Sequence, residues 1–260
     1  MAVTNFIQQI WSKKIQDDLE LKCKLVDNCL RDYEGDCKYA QSVKILGVGE
    51  PTIGAYDGSQ DITIEEMSDK GQILTIDQAN YFAFYVDDID QAQSVPGLKE
   101  KYQEKAVHGL AVARDTYVAT LIAAASNATP IADMTEEGVK KAVDAAIVAL
   151  RERNFDEDGV IEMTPAFYNL FKNHLITLST NNPELIKKGV VGMYDNFECI
   201  MSNNLKTPCD IRGKKAIAFA GQINEVEALR AEKRFKDIVR GLDTFGAKII
   251  DEARIQKLTA

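Results

Sequence analysis

The sequence predicts an α+β protein, and three observations carry that prediction. An aromatic-rich extended run over residues 72–86 leads into acidic punctuation at 87–93. A long helical pattern follows the break at Pro96-Gly97 and continues to about Ser126. Beyond Pro130, helical and extended patterns alternate as in a compact layered unit. The extended run and the long helix together look like the frame of a subunit built to touch many neighbours, with nothing resembling a catalytic centre.

Taken in order, residues 1–44 open with Ile7, Ile10, Trp11, Ile15 and Leu19 at roughly helical spacing and end at the turn signal Asp32-Tyr-Glu-Gly35. A tail this apolar is expected to dock on another subunit. Residues 43–48 read as a strand. Residues 49–58 are loop chemistry, and Gly47-Val-Gly49 fails as a dinucleotide loop because Thr52 stands where the third glycine belongs. The alternating stretch 61–65 predicts a strand, and 73–86 the strand returning beside it, interrupted near Asp77–Asn80. A two-stranded ribbon is marginal in water, so this hairpin is expected to lie on a neighbouring subunit.

In the long helix, Leu98, Tyr102, Ala106, Gly109, Ala113, Tyr117, Thr120 and Ala124 recur every three or four residues and mark the expected apolar face. Residues 97–126 would span about 45 Å. Asn127–Pro130 reads as a break and a domain boundary. Thr135 caps a helix over 139–153, a strand follows at 160–163, and Thr164-Pro165 opens a helix to Leu175. A short helix is expected between Pro183 and Gly189, and strands at 190–193, 197–201 and 215–220. Over 222–250 the spacing alone leaves strand and helix open; Gly241 and Gly246 favour strands. The tail after Asp251 reads as short and polar.

Composition narrows the function. A 260-residue chain with 45% hydrophobic and 27% charged residues can bury a sizeable core. The net charge of −9 excludes an electrostatic nucleic-acid binder and suits a surface that resists sticking to DNA. Five cysteines (Cys23, Cys29, Cys37, Cys199, Cys209) without a C-x-x-C pair predict reduced intracellular thiols. No apolar run reaches the ~18 residues of a membrane span, and the first residues lack signal-peptide chemistry. The expectation is a protein made in a cytoplasm, with no membrane association.

Each candidate site has a plainer reading. Asp87, Asp88 and Asp90 form an acidic cluster, but acids before a helix are favoured by its positive end. Asn154, Asp156, Asp158 and Gly159 match the first half of a calcium loop, yet Pro165 occupies the position that needs a bidentate Glu. His108 and His174 have no partner pattern that would make a catalyst of either. Lys99, Lys101 and Lys105 alternate with Glu100 and Glu104, a solvated helix face and not a nucleic-acid stripe. No catalytic, cofactor-binding or metal-ligating residue is assigned and no cofactor is expected, which leaves a self-associating structural protein ahead of an enzyme of unidentified type.

Several stretches, taken together, resemble the major capsid proteins of tailed bacteriophages. They are Ile10-Trp-Ser-Lys-Lys14, Asp32-Tyr-Glu-Gly35, Ile76–Gln93, Thr164-Pro-Ala-Phe-Tyr168, Gly189-Val-Val-Gly192 with Phe197 and Ser202-Asn-Asn-Leu205, and Phe235–Gly241 with Phe245-Gly-Ala-Lys248. The resemblance covers nearly the whole chain and implies the Hong Kong 97-type capsid fold. It implies an N-terminal arm (1–48), an extended E-loop (49–82), a peripheral domain with the spine helix (83–129) completed by 222–260, and an axial domain (130–221). It further implies assembly into hexamers and pentamers of an icosahedral shell around double-stranded DNA. The partners implied are further copies of the chain, a scaffolding protein, a portal and decoration proteins; the location is the virion, with assembly in the host cytoplasm. The same fold serves encapsulin-like bacterial compartments, which is the alternative.

Overall fold

The computed structural model describes residues 23–33, 42–45, 71–87, 98–178, 191–230 and 236–259. It is a mixed α+β structure. In chain order the strands and helices are β1 (Ser42–Ile45), β2 (Gln72–Thr75), β3 (Gln78–Asp87), α1 (Leu98–Ala124), β4 (Ala128–Pro130), α2 (Glu136–Arg151), β5 (Gly159–Met163), α3 (Pro165–Leu178), β6 (Met193–Tyr194), β7 (Phe197–Met201), β8 (Cys209–Gly213), β9 (Ile217–Arg230), β10 (Lys236–Ile249) and β11 (Ile255–Thr259). Among the described residues they form three sheets: a β1–β2 pair, an antiparallel β3-β10-β9 sheet, and a six-stranded mixed sheet in the order β4-β11-β8-β5-β7-β6.

Two main cores result. In one, α1 packs Val107, Leu110, Ala111, Val118, Ala119 and Ile122 with Phe219, Val239 and Phe245 and with Leu25 and Val26 of the amino-terminal segment. In the other, α2 and α3 cover one face of the six-stranded sheet, Leu150, Phe167 and Phe171 meeting Ile161, Ile211 and Leu258. The Thr135 hydroxyl caps α2 by accepting from the Gly138 N–H at 3.2 Å. The expected apolar face of α2 (Val139, Val143, Ala146, Ile147, Leu150) is buried throughout.

Several expectations are corrected. The interruption expected within residues 73–86 is present, but its two halves lie in different sheets. The chain breaks at Ile76-Asp77; β2 pairs with β1, and β3 pairs with β10. The inner face of β3, Phe82 and Phe84, packs on the chain's own core, so this strand does not depend on a neighbour for that side. The stretches 61–65 and 183–189 lie outside the described residues. The face of α1 picked from spacing is also wrong in part: Tyr102, Gly109, Thr120 and Ala124 are exposed, and the buried positions are Val107, Leu110, Ala111, Arg114, Asp115, Val118, Ala119 and Ile122. The helix is covered from two directions, and two of its buried positions are charged, which blurs an apolar periodicity. The tail after Asp251 is not a polar end. Its strand β11 lies between β4 and β8, with Ile255 and Leu258 fully buried.

The open question over 222–250 resolves as two long strands, β9 and β10. The two glycines are explained by close approach. A Cβ at Gly241 would stand 2.5 Å from the Phe82 ring, and one at Gly246 would stand 2.1 Å from the Thr75 carbonyl oxygen.

Two consecutive charges inside α1 tie the layers together. Arg114 donates from Nε and Nη2 to the Asp243 carboxylate on β10, at 3.0 and 2.5 Å, with both side chains buried. The guanidinium also lies 5.6 Å from the Phe219 ring centroid and 5.9 Å from that of Phe245. Asp115 accepts from the backbone N–H groups of Lys24, Leu25 and Val26 at 3.1, 3.1 and 3.3 Å, and from Asn204 Nδ2 at 3.3 Å. It therefore plays, from a distant helix, the capping role for the short turn at Val26–Asn28.

Removing one partner of a buried pair strands the other charge, so Asp243→Asn is predicted to destabilise the chain by about 3–5 kcal/mol in urea unfolding. The double replacement Arg114→Met with Asp243→Leu is predicted to recover most of that loss. Equal losses in the two variants would show that geometry at this point, and not charge, holds α1 to the sheet.

Candidate interaction surface

The residues that could carry chemistry do not converge. His108 is exposed on α1 and His174 is half-buried on α3. Asn154 adopts a left-handed φ of 59° in the α2–β5 turn, and Glu157 of the same turn is spent on Arg254 at 2.7 Å. Asp87 ends β3, while Asp88 and Asp90 lie outside the described residues. Among the described residues no group of three or more His, Cys, Asp or Glu side chains is placed to hold a metal ion. Burial pushes the Cys23 and Cys199 thiols up to about 12 and the Cys29 thiol up to about 11, so none is a ready nucleophile at neutral pH. Cys37 is outside the described residues.

Two polar features remain. A groove of about 390 Å³ runs between β4 and the start of α2, lined by Thr129, Asp133, Thr135, Glu137 and Lys141. Its cation is paired, Lys141 to Glu137 at 2.7 Å, and none of the unpartnered buried polar atoms found among the described residues belongs to its lining. The second feature is the triad Glu162, Asp210 and Arg212, fully buried between the six-stranded sheet and the amino-terminal segment. With no exposed surface it offers nothing to a substrate.

What the described surface does offer is the outer side of β3. This strand alternates strictly: Phe82 and Phe84 turn inward, while Ala79, Tyr81, Ala83 and Tyr85 are exposed. Tyr81 is 80% and Tyr85 is 67% exposed, and Leu242, directly opposite Tyr81 on β10, is 41% exposed. Aromatic and aliphatic side chains thus sit on both faces of one strand. On its open edge β3 pairs with no other strand among the described residues. A long apolar edge strand left bare invites pairing or aggregation. The signal was in the sequence as Tyr-Phe-Ala-Phe-Tyr, a run apolar in both registers, but spacing alone could not say which set faced the chain's own core. Among the described residues no helix is long and apolar enough to cross a membrane.

No protein-family model and no curated protein matches the chain. Solved structures do. A chain from Mycobacterium phage Che8 superposes with a TM-score of 0.77 at 23% identity, over 91% of this chain and 90% of that one. The capsid structure of cyanophage P-SCSP1u gives 0.73 at 16% identity, over 89% and 86%. A virus-like particle from Pyrococcus furiosus gives 0.60 at 13% identity, over 97% and 99%. The resemblance to phage capsid proteins seen in the sequence is thus upheld in three dimensions: over nearly its whole length, this chain has the fold of phage capsid chains.

Proposed function

We propose that the chain is the major capsid protein of a tailed bacteriophage, of the Hong Kong 97 type. Its role is structural and it catalyses no reaction. The observation that carries this reading is the likeness to phage capsid chains across about nine-tenths of both partners. The bare apolar side of β3 supports it, because such a face suits a subunit completed by its neighbours. Copies associate into hexamers and pentamers, and these into an icosahedral shell around double-stranded DNA. Repeated heterologous contacts close on themselves when the rotation permits, and many modest contacts sum through multivalency. A net charge of −9 suits a container that holds DNA without binding it in a sequence-specific way.

In this reading residues 1–48 are the N-terminal arm, 49–82 the E-loop, 83–129 with 222–260 the peripheral domain, and 130–221 the axial domain. The later part of 49–82 includes β2 and the start of β3, which pack on this chain's own strands. A separate scaffolding protein, a portal and decoration proteins are the further partners, and the virion is the final location after assembly in the host cytoplasm. An encapsulin-like compartment is the second reading, favoured only by the virus-like particle, whose TM-score of 0.60 is below the 0.77 of the phage chain.

Electron microscopy and sedimentation of the expressed chain, alone and with a co-expressed scaffolding protein, are predicted to give shells, tubes or capsomers. A compact monomer persisting at high concentration in both preparations would overturn the proposal. Replacing Tyr81 and Tyr85 together by Asp is predicted to abolish these assemblies while changing the stability of the dissociated chain by less than about 1 kcal/mol. Deleting residues 50–70 is predicted to leave the melting temperature of the dissociated chain intact and to stop shell closure.

A further inference from the structure

The Glu162–Asp210–Arg212 triad carries more than a packing role. Glu162 and Asp210 are direct cross-strand partners on β5 and β8, and Arg212 lies two residues further along β8 on the same side. All three side chains are fully buried. The guanidinium is fully engaged. It donates from Nε and Nη2 to the two Glu162 oxygens, at 3.1 and 2.7 Å. It also donates from Nη1 to the Asn28 carbonyl at 2.7 Å and from Nη2 to the Leu25 carbonyl at 2.9 Å. Asp210 is left over. Neither of its oxygens receives a hydrogen bond in the described structure, and Arg212 Nε stays 3.9 Å away. As the direct cross-strand neighbour of Glu162, Asp210 instead faces a second buried carboxylate.

Charge counting then leaves one solution. A single buried cation cannot balance two buried carboxylates side by side, and both acids cannot ionise there. We propose that Asp210 keeps its proton in the folded protein, facing Glu162, and that this proton is the catch of a latch holding residues 23–29 onto the six-stranded sheet. With Asp210 protonated, Arg212 serves one carboxylate and keeps its remaining N–H groups for Leu25 and Asn28. When hydroxide removes the proton to solvent, Asp210 becomes a second anion competing for Arg212, and the grip on the two carbonyls loosens. The segment released is the one through which the amino-terminal stretch enters the fold.

The sign follows from the environment. Burial first, and then the Glu162 charge, hold the Asp210 carboxyl well above the ordinary range, with Arg212 opposing. A carboxyl raised on folding contributes stability that is complete below its unfolded value and is lost as pH rises through its folded value. The latch is therefore closed in acid and opens toward alkali.

Other groups face the same space. The Cys29 and Cys23 thiols of the segment, pushed to about 11 and about 12, do not ionise in the neutral range, and Cys209 on β8 and Cys199 on β7 are raised in the same way. Asp115 from α1, also raised by burial and opposed by its backbone N–H donors, titrates with the same sign. Lys24 of the segment reaches the Met201 carbonyl at 3.2 Å, and Arg31 pairs with Asp27 at 3.8 Å near the surface.

The test is hydrogen–deuterium exchange of the intact chain between about pH 5 and about pH 9, corrected for intrinsic rates. Protection of residues 23–31 is compared with that of α2 residues 139–150. In the parent protein, protection of 23–31 is predicted to fall by roughly tenfold or more relative to α2 as pH rises. In Asp210→Asn, whose amide carries no titrating proton, it is predicted to stay level. Level protection in the parent, or an equal fall in the variant, which would assign the effect to Asp115, overturns the proposal. Isotope-edited infrared spectroscopy of the parent gives an independent readout should the variant misfold: a buried protonated aspartic acid must be present at neutral pH, and its absence overturns the proposal directly.

Discussion

In the middle of α1 two neighbouring residues, Arg114 and Asp115, carry buried charges into different layers of the molecule. Arg114 reaches Asp243 on the long strand β10, between the Phe219 and Phe245 rings. Asp115 gathers three backbone N–H groups of the segment at Lys24–Val26. Neither would be tolerated in an apolar core without its partners, because an unpaired buried charge costs far more than a packing defect. Their partners fix the helix against the β3-β10-β9 sheet on one side and fix the amino-terminal segment on the other. Arg212 then binds the same segment from the six-stranded sheet. The segment is thus gripped both by α1 and by the six-stranded sheet, and charged hydrogen bonds, which are directional, set its path where hydrophobic packing alone would leave it loose.

That internal economy contrasts with the outer side of β3. Inside, charges are brought in and paired; outside, Tyr81, Tyr85 and Leu242 are left bare beside an open strand edge. Under the proposed function, this exposed face is where further copies of the chain associate. The rigid frame presents the same face on every subunit, and repetition of one contact is what a closed shell requires.

Much of this was legible in the sequence. The long helix was found to within two residues at each end, and Thr135 and Thr164-Pro165 marked the starts of α2 and α3, because caps and prolines are local chemistry. Two kinds of feature were not legible. Strands β8 and β11 went unseen: Cys-Asp-Ile-Arg-Gly and Ile-Gln-Lys-Leu-Thr look like polar loop or tail, and only tertiary pairing makes them central strands. Asp210 and Arg212 point to one face of β8 and Ile211 to the other, so the alternation is real but its polar side is buried. The buried face of α1 was misread for the same reason, since Arg114 and Asp115 lie where an apolar pattern is sought. The exposed aromatic face was not read from the sequence: residues 81–85 are apolar in both registers, and the identity of the outward pair depends on pairing with β10, more than 150 residues away.

On the proposed function, the outer face of β3 and β10 is covered by other copies of the chain. Covalent labelling of tyrosine side chains, read residue by residue by mass spectrometry in assembled particles and in dissociated subunits, tests it most directly. Tyr81 and Tyr85 are predicted to react readily in dissociated subunits and to be protected in particles, while the packed Tyr117 and Tyr168 change little. Equal reactivity of Tyr81 and Tyr85 in the two states would contradict it.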